Sequence, residues 1–460
     1  MKSALRIIPV ALLLSVVGTA AAVPAPAGRA ALIGSTAAAP APATHRPRYQ
    51  GCSSNGSPSF VGISPANTPN FAATGSGVAA GYSNAACDPN DFIGAGQSNG
   101  TGGDGGAAYA SIGAGLSNAI TDAPSAFVGG GVFNAAAGFP QMGGNSSNDA
   151  VIASGESNTV YETDSGIVAG DGNQISSQAS QQAPYPNTQD FIGAGLQNGI
   201  ATDDAGIVAG FQNRIGSNYS FVGGGEYNKV WGGYADAAVA GASNYARGGL
   251  SLVGAGEANQ ANGEASAIGA GYSNKTAAYG AFIGAGYTNG VTGMDSFVGA
   301  GRSDIVNGVE AFIGAGQGSS VTGELAAIPG GNFNVAAGYA SFAGGVRSEA
   351  FNDGAFVWSD DGGSTSANLR SSNKDQFLVR SSGGVVFYTD PRLTCGMLLQ
   401  PGANTWTPIG TTCASTGAGA DADIDSVTMA ALSARHQALV ARVAALEAQL
   451  DAIATHSLGR

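Results

Sequence analysis

A short phrase that recurs along the middle of the chain restricts its fold more than any other feature. Between Gly77 and Glu349 the sequence keeps returning to a small or Phe residue, Ile or Val, Gly or Ala, Ala or Gly, Gly, two variable residues and Asn. Phe92-Ile93-Gly94-Ala95-Gly96-Gln97-Ser98-Asn99 is one copy, and Phe282-Ile283-Gly284-Ala285-Gly286-Tyr287-Thr288-Asn289 is another. With the Asn as marker, 17 copies end at positions from 84 to 349; 14 markers are Asn, and Asp304, Ser319 and Glu349 are the exceptions. From 213 onward the steps are 15 or 16 residues, while earlier steps of 19, 24 and 25 carry insertions. So short a fixed period points to a solenoid.

The unit is a poor helix. Three or more Gly in 15 residues cost about 1 kcal/mol each in a helix, whereas Ile or Val beside Gly-Ala-Gly suits a short strand entering a tight turn. Two strands and two turns per copy are therefore predicted, each copy forming one coil of a narrow parallel β-roll. Coils stacked at about 4.8 Å would give a rod on the order of 80 Å long. Adjacent residues on a strand face opposite ways. The Ile/Val position, so filled in 15 of 17 copies with Ala238 and Ala343 as exceptions, is expected inside. The residue before it is expected outside, where Phe92, Phe127, Phe191, Phe221, Phe282, Phe297, Phe312 and Phe342 would form a column too apolar to stay wet. Burial against other copies of the chain follows, with Phe282, Phe297 and Phe312 at the interface; a ligand-binding stripe is the alternative.

Energetics agree. One buried Ile or Val contributes about 1.5–3 kcal/mol, against on the order of 15–30 kcal/mol to order 15 residues. No coil stands alone, so stacking must supply the difference. The Asn markers, Asn259, Asn274 and Asn289 among them, are expected to form a stacked amide ladder at the turns.

Composition narrows the function. The chain has 460 residues, of which 18 are Lys or Arg and 31 Asp or Glu, a net charge of −13. That balance excludes a nucleic-acid partner, which needs a basic footprint. Gly is about one residue in six without collagen's period, and the 8% aromatic content does not suit a conventional enzyme domain. Residues 1–22 read as a signal peptide: Lys2 and Arg6, an apolar run from Ile7 to Val17, then Ala20-Ala21-Ala22. The run is short of the roughly 20 residues that span a bilayer. Residues 23–51 form an Ala/Pro-rich linker. In an exported chain, Cys52 with Cys87 and Cys395 with Cys413 are expected as two disulfides. A metal site would need closely spaced ligands, and the only histidines are His45, His436 and His456.

After the repeats, residues 358–420 read as a β connector. Gln376–Arg380 and Val385–Tyr388, separated by Ser381-Ser382-Gly383-Gly384, suggest a β-hairpin. Residues 421–460 carry heptads, with Met429, His436, Val443 and Leu450 at a and Leu432, Leu439, Leu446 and Ile453 at d. Four heptads predict a coiled coil, with Arg442 and Glu447 placed for an interchain ion pair. His436 is expected to set the register of the seam.

Units such as Ser266-Ala267-Ile268-Gly269-Ala270-Gly271-Tyr272-Ser273-Asn274 resemble the head repeats of trimeric autotransporter adhesins, the YadA-like head. The resemblance covers roughly residues 77–357 within an expected head domain at 52–357. It implies a left-handed parallel β-roll, a homotrimer with three chains side by side, and display outside a Gram-negative cell to bind host, matrix or glycan surfaces. The family's C-terminal β-barrel anchor has no counterpart in the sequence, so no integral membrane anchor is expected; release, attachment through a partner, or retention in the periplasm follows. The connector resembles that of some phage tail-fibre proteins, which makes a phage-derived fibre or a polysaccharide-processing β-solenoid the alternative function.

Neither catalysis nor a cofactor is expected. Gly96-Gln97-Ser98-Asn99-Gly100 matches G-x-S-x-G, but it is the repeat phrase, and the repeats hold no His to act as base. Asp421-Ala422-Asp423-Ile424-Asp425 has calcium-like spacing without the loop Gly or the closing Glu. The adjacent pairs Asp203-Asp204 and Asp360-Asp361 read as turn residues. Ligand contacts are expected on the insertions 139–149 and 176–190.

Overall fold

A computed structural model describes residues 59–62, 70–102, 108–137, 149–176, 189–361, 367–389, 391–410 and 434–443. From Phe60 to Arg380 the strands belong to a parallel β-solenoid of about 18 turns. Each coil contributes one strand to each of two sheets. Ala267–Ile268 pairs in parallel with Phe282–Ile283 of the next coil, and Lys275–Thr276 pairs with Gly290–Val291. A third ladder, one residue wide, runs between them through Tyr272 and Tyr287. Two ladders were expected. The third arises because the Gly-Ala-Gly corner brings one residue back into register before the chain reaches the Asn.

The corner depends on glycine. Gly271 has φ of 111°, and a Cβ there would lie 2.2 Å from the Gly286 carbonyl oxygen of the next coil. Elsewhere in the same coil Ala265 (φ 53°) and Ser273 (φ 54°) also take left-handed conformations, each at a cost of roughly 1–2 kcal/mol for an L-residue. Stacking therefore holds backbone that an isolated coil would not adopt.

The core is a narrow file of two columns. The expected one holds Ile268, Ile283 and Val298, with Ala238 and Ala343 in the same file, all at 0% exposure. The second comes from the other sheet, where Thr276, Val291 and Val306 point inward, and the sequence reading did not assign it. The long insertions do not shift register: Phe127 pairs with Val151, and Gly166 with Phe191.

Two local expectations are corrected. The hairpin across residues 381–384 does not form. Phe377–Arg380 instead pairs in parallel with Phe356–Ser359, extending the solenoid, while Val385–Tyr388 opens an antiparallel meander with Gly396–Leu399 and Trp406–Ile409. The Ser-Gly turn signal is real, but Phe377 stacks on Phe356 at 4.9 Å, and that continued column decides the pairing. The final marker is Ser348 rather than Glu349. Ser348 N–H donates to Asn334 Oδ1 at 2.9 Å, because the last step is one residue shorter. At the other end the ladder begins earlier, with Asn84 N–H donating to Asn70 Oδ1 at 3.0 Å.

Within the predicted coiled coil, residues 434–443 form a short helix; Leu432, Leu446, Leu450 and Ile453 lie outside the described residues. Among the described residues no helix is long and apolar enough to cross a membrane.

Candidate functional surface

The parallel one-to-one register places identical outward side chains directly above one another, about 4.8 Å apart. Phe282 and Phe297 stack at 5.4 Å between centroids with 12° between planes. Phe297 and Phe312 repeat this at 5.4 Å and 7°, and the column resumes with Phe342 on Phe356 at 4.5 Å. Phe282 is 37% exposed and Phe312 40%, so the stack presents ring edges and one flank to solvent. Of the helix residues expected at an interface, His436 is exposed, and Leu439 and Val443 are 63% and 48% exposed. Neither Cys87 nor Cys395 is a free thiol; no disulfide joins two described residues, and the expected partners Cys52 and Cys413 lie outside them.

At the turns, Asn259, Asn274 and Asn289 lie in one buried column. Asn274 N–H and Nδ2 both donate to Asn259 Oδ1 at 3.0 Å. Nδ2 also donates to Ala270 O within the coil at 3.2 Å and to Gly286 O of the next coil at 2.9 Å. Asn274 Oδ1 accepts Asn289 N–H at 3.0 Å. Only a primary amide offers this acceptor and paired donors at that reach.

Asp304 enters that column as an imperfect substitute. Its N–H donates to Asn289 Oδ1 at 3.0 Å and its Oδ1 accepts Ser319 N–H at 2.8 Å, yet Oδ2 is buried with no donor. Burial raises its carboxyl pKa above the usual range, against the lowering bonds from Ser319 and Arg302. Asp304→Asn restores an amide donor and should stabilise the solenoid by about 1–2 kcal/mol near pH 8. The gain should shrink in acid, where the carboxyl is protonated. Chemical denaturation at both pH values checks this.

A second buried column, one residue before the outward one, holds Ser165, Ser220 and Ser296 but also Asp91, Asp190 and Asp236. These groups accept the backbone N–H of the following coil: Ala110 N–H reaches Asp91 Oδ1 at 3.0 Å, and Ala205 N–H reaches Asp190 Oδ1 at 2.8 Å. Burial pushes Asp91 up to about 7, with Asp88 a minor repulsive neighbour. It pushes Asp190 up to about 8, helped by the nearby charges of Glu162, Asp203 and Asp204. A folded-state pKa above the unfolded one means that the native state binds more protons, so stability falls as pH rises. The solenoid should therefore be most stable near pH 4 and lose on the order of a few kcal/mol between pH 4 and 8. Asp190→Ser, which installs the residue found at 165 and 220, should flatten that slope in thermal melts.

The remaining candidates are structural in placement. Ser98 occupies a left-handed turn position at φ 55°. Asp203 is raised by burial and then by Asp204, whereas Asp360 is lowered by hydrogen bonds from Ser382 and pairs with Arg380 at 3.4 Å. Asp421, Asp423 and Asp425 and most of both insertions lie outside the described residues. Among the described residues no group of three His, Cys, Asp or Glu is placed to hold a metal. No protein-family model matches the sequence, and no curated protein matches it at a significant level.

Proposed function

We propose that the chain is an exported, homotrimeric, non-enzymatic adhesin-like protein that binds host, matrix or glycan surfaces through its β-roll. The observation that carries this reading is the outward Phe column, stacked and still substantially exposed in a single chain. An apolar strip of that length is dry only if another molecule covers it, and sister chains packed lengthwise present the same strip in the same register. His436, Leu439 and Val443, exposed on the short helix, offer a second site of association, and the disulfides Cys52–Cys87 and Cys395–Cys413 would staple the two ends of each roll.

The test is mass in solution, cellular location and cell binding. Sedimentation of the purified protein as three chains, surface exposure in intact cells and adhesion to matrix-coated plates are expected. A monomeric species confined to the periplasm, with no adhesion, overturns the reading.

A further inference from the structure

Cationic side chains are scarce in the first two thirds of the solenoid, and those present share one side. Between Arg48 and Arg302 the sequence has only Arg214, Lys229, Arg247 and Lys275. The fold gathers these four onto the outward face of the second sheet, in five successive coils. Arg214 pairs in register with Lys229, Lys229 with Tyr245, Tyr245 with Gln260 and Gln260 with Lys275. Two residues further along each strand, and so on the same face, stand Gly216, Trp231, Arg247 and Asn262. The grid spans four coil steps, roughly 19 Å.

Among the described residues none of the four cations is in an ion pair; Glu226 and Glu257 sit on the separate one-residue ladder. Trp231 is 50% exposed, and its six-membered ring lies across Gly216, where a Cβ would meet Trp231 Cε3 at 2.3 Å. One indole face is thus seated on the preceding coil. Arg247 sits 5.8 Å from the Tyr245 ring centroid, which orients its guanidinium beside that aromatic.

We propose that the face from Arg214 to Lys275 binds a linear acidic polysaccharide, one bearing carboxylate or sulfate on some of its sugars. Guanidinium and ammonium groups recognise the anionic substituents, Gln260 suits hydroxyls, and the seated indole suits the C–H face of a pyranose ring. The cations are interspersed with the neutral positions Tyr245 and Gln260, which suits a polymer whose anionic groups alternate with hydroxyl-bearing sugars; nucleic acid is the competing polyanion that the test includes. The inference gives the adhesion reading a ligand class and a place, on a sheet face distinct from the Phe column, and it requires one chain only.

Purified full-length protein would be passed over immobilised heparin, hyaluronan, neutral dextran and oligo-dT at about 50 mM salt and again at about 300 mM. Retention by heparin or hyaluronan that weakens with salt, with none by dextran, is expected. The variant R214A/K229A/K275A should lose at least tenfold in affinity with an unchanged melting curve, and Trp231→Ala should weaken binding while leaving its salt dependence intact. Arg302→Ala, outside the grid, should bind like the parent. No retention by either acidic glycan, full binding by the triple variant, or stronger retention by oligo-dT overturns the proposal. Adhesion to cells that survives the triple variant sinks this site and leaves the adhesion reading standing; glycan binding by a protein confined to the periplasm does the reverse.

Discussion

Asn274→Leu should destabilise the solenoid by on the order of 2–6 kcal/mol, although Leu is close to Asn in size and the position is buried. The side chain of Asn274 satisfies three backbone groups at once: Asn289 N–H through Oδ1, and the carbonyls of Ala270 and Gly286 through Nδ2. It also donates to Asn259 Oδ1. Leu leaves Asn289 N–H and Ala270 O buried without partners, at about 1–3 kcal/mol each, while Gly286 O keeps the Tyr272 N–H and Asn259 Oδ1 keeps the Asn274 N–H. Asn274→Asp should cost less, because it keeps the acceptor and loses only the donor, as Asp304 does. Denaturant unfolding gives the total, and hydrogen exchange locates it. In a solenoid each coil contacts only its neighbours, so the amide of residue 289 and those of the flanking coils should lose protection first. A Leu variant as stable as its parent would mean that the ladder contributes nothing beyond the sheets.

How much of this was legible depends on what kind of position is involved. Asn274 and its equivalents stand out in the sequence because only one side chain meets four hydrogen-bond demands there, so the column tolerates little variation. The Ile268 column is nearly as plain, since one buried β-branched shape serves every coil. Its partner from the second sheet runs through Ala246, Ala261, Thr276, Val291 and Val306; a file that accepts Ala, Thr and Val alike leaves no motif. The hairpin at Ser381–Gly384 misled because turn chemistry is local, whereas the pairing of Phe377 with Phe356 is set by a column built over the preceding coils. Glu349 misled for a related reason: a marker counted by period overshoots when one step loses a residue, and Ser348 fills the slot. The cationic face was least visible. Its members are 15 or 16 residues apart or differ in type, and only the stacking register makes Arg214, Lys229, Tyr245, Gln260 and Lys275 neighbours.

Replacing Phe282, Phe297 and Phe312 together with Ser should convert the proposed trimer into folded single chains. All three rings point out of the coil, and their inward neighbours Ile283, Val298 and Ile313 remain at 0% exposure, so the roll itself keeps its core. What is lost is intermolecular: three stacked aromatics per chain, each able to bury about 150–250 Å² at roughly 25 cal/mol per Å². Even half of that area is about 6–9 kcal/mol per chain. Tyr272→Ser with Tyr287→Ser is the matched control, because that pair stacks equally closely, at 5.1 Å and 11°, but on the one-residue ladder. Sedimentation should therefore separate the two faces: the Phe variant falls to one chain while the Tyr variant stays assembled. The opposite pattern would move the interface to the Tyr ladder, and a parent protein that is already a single chain would leave the Phe column to a different partner.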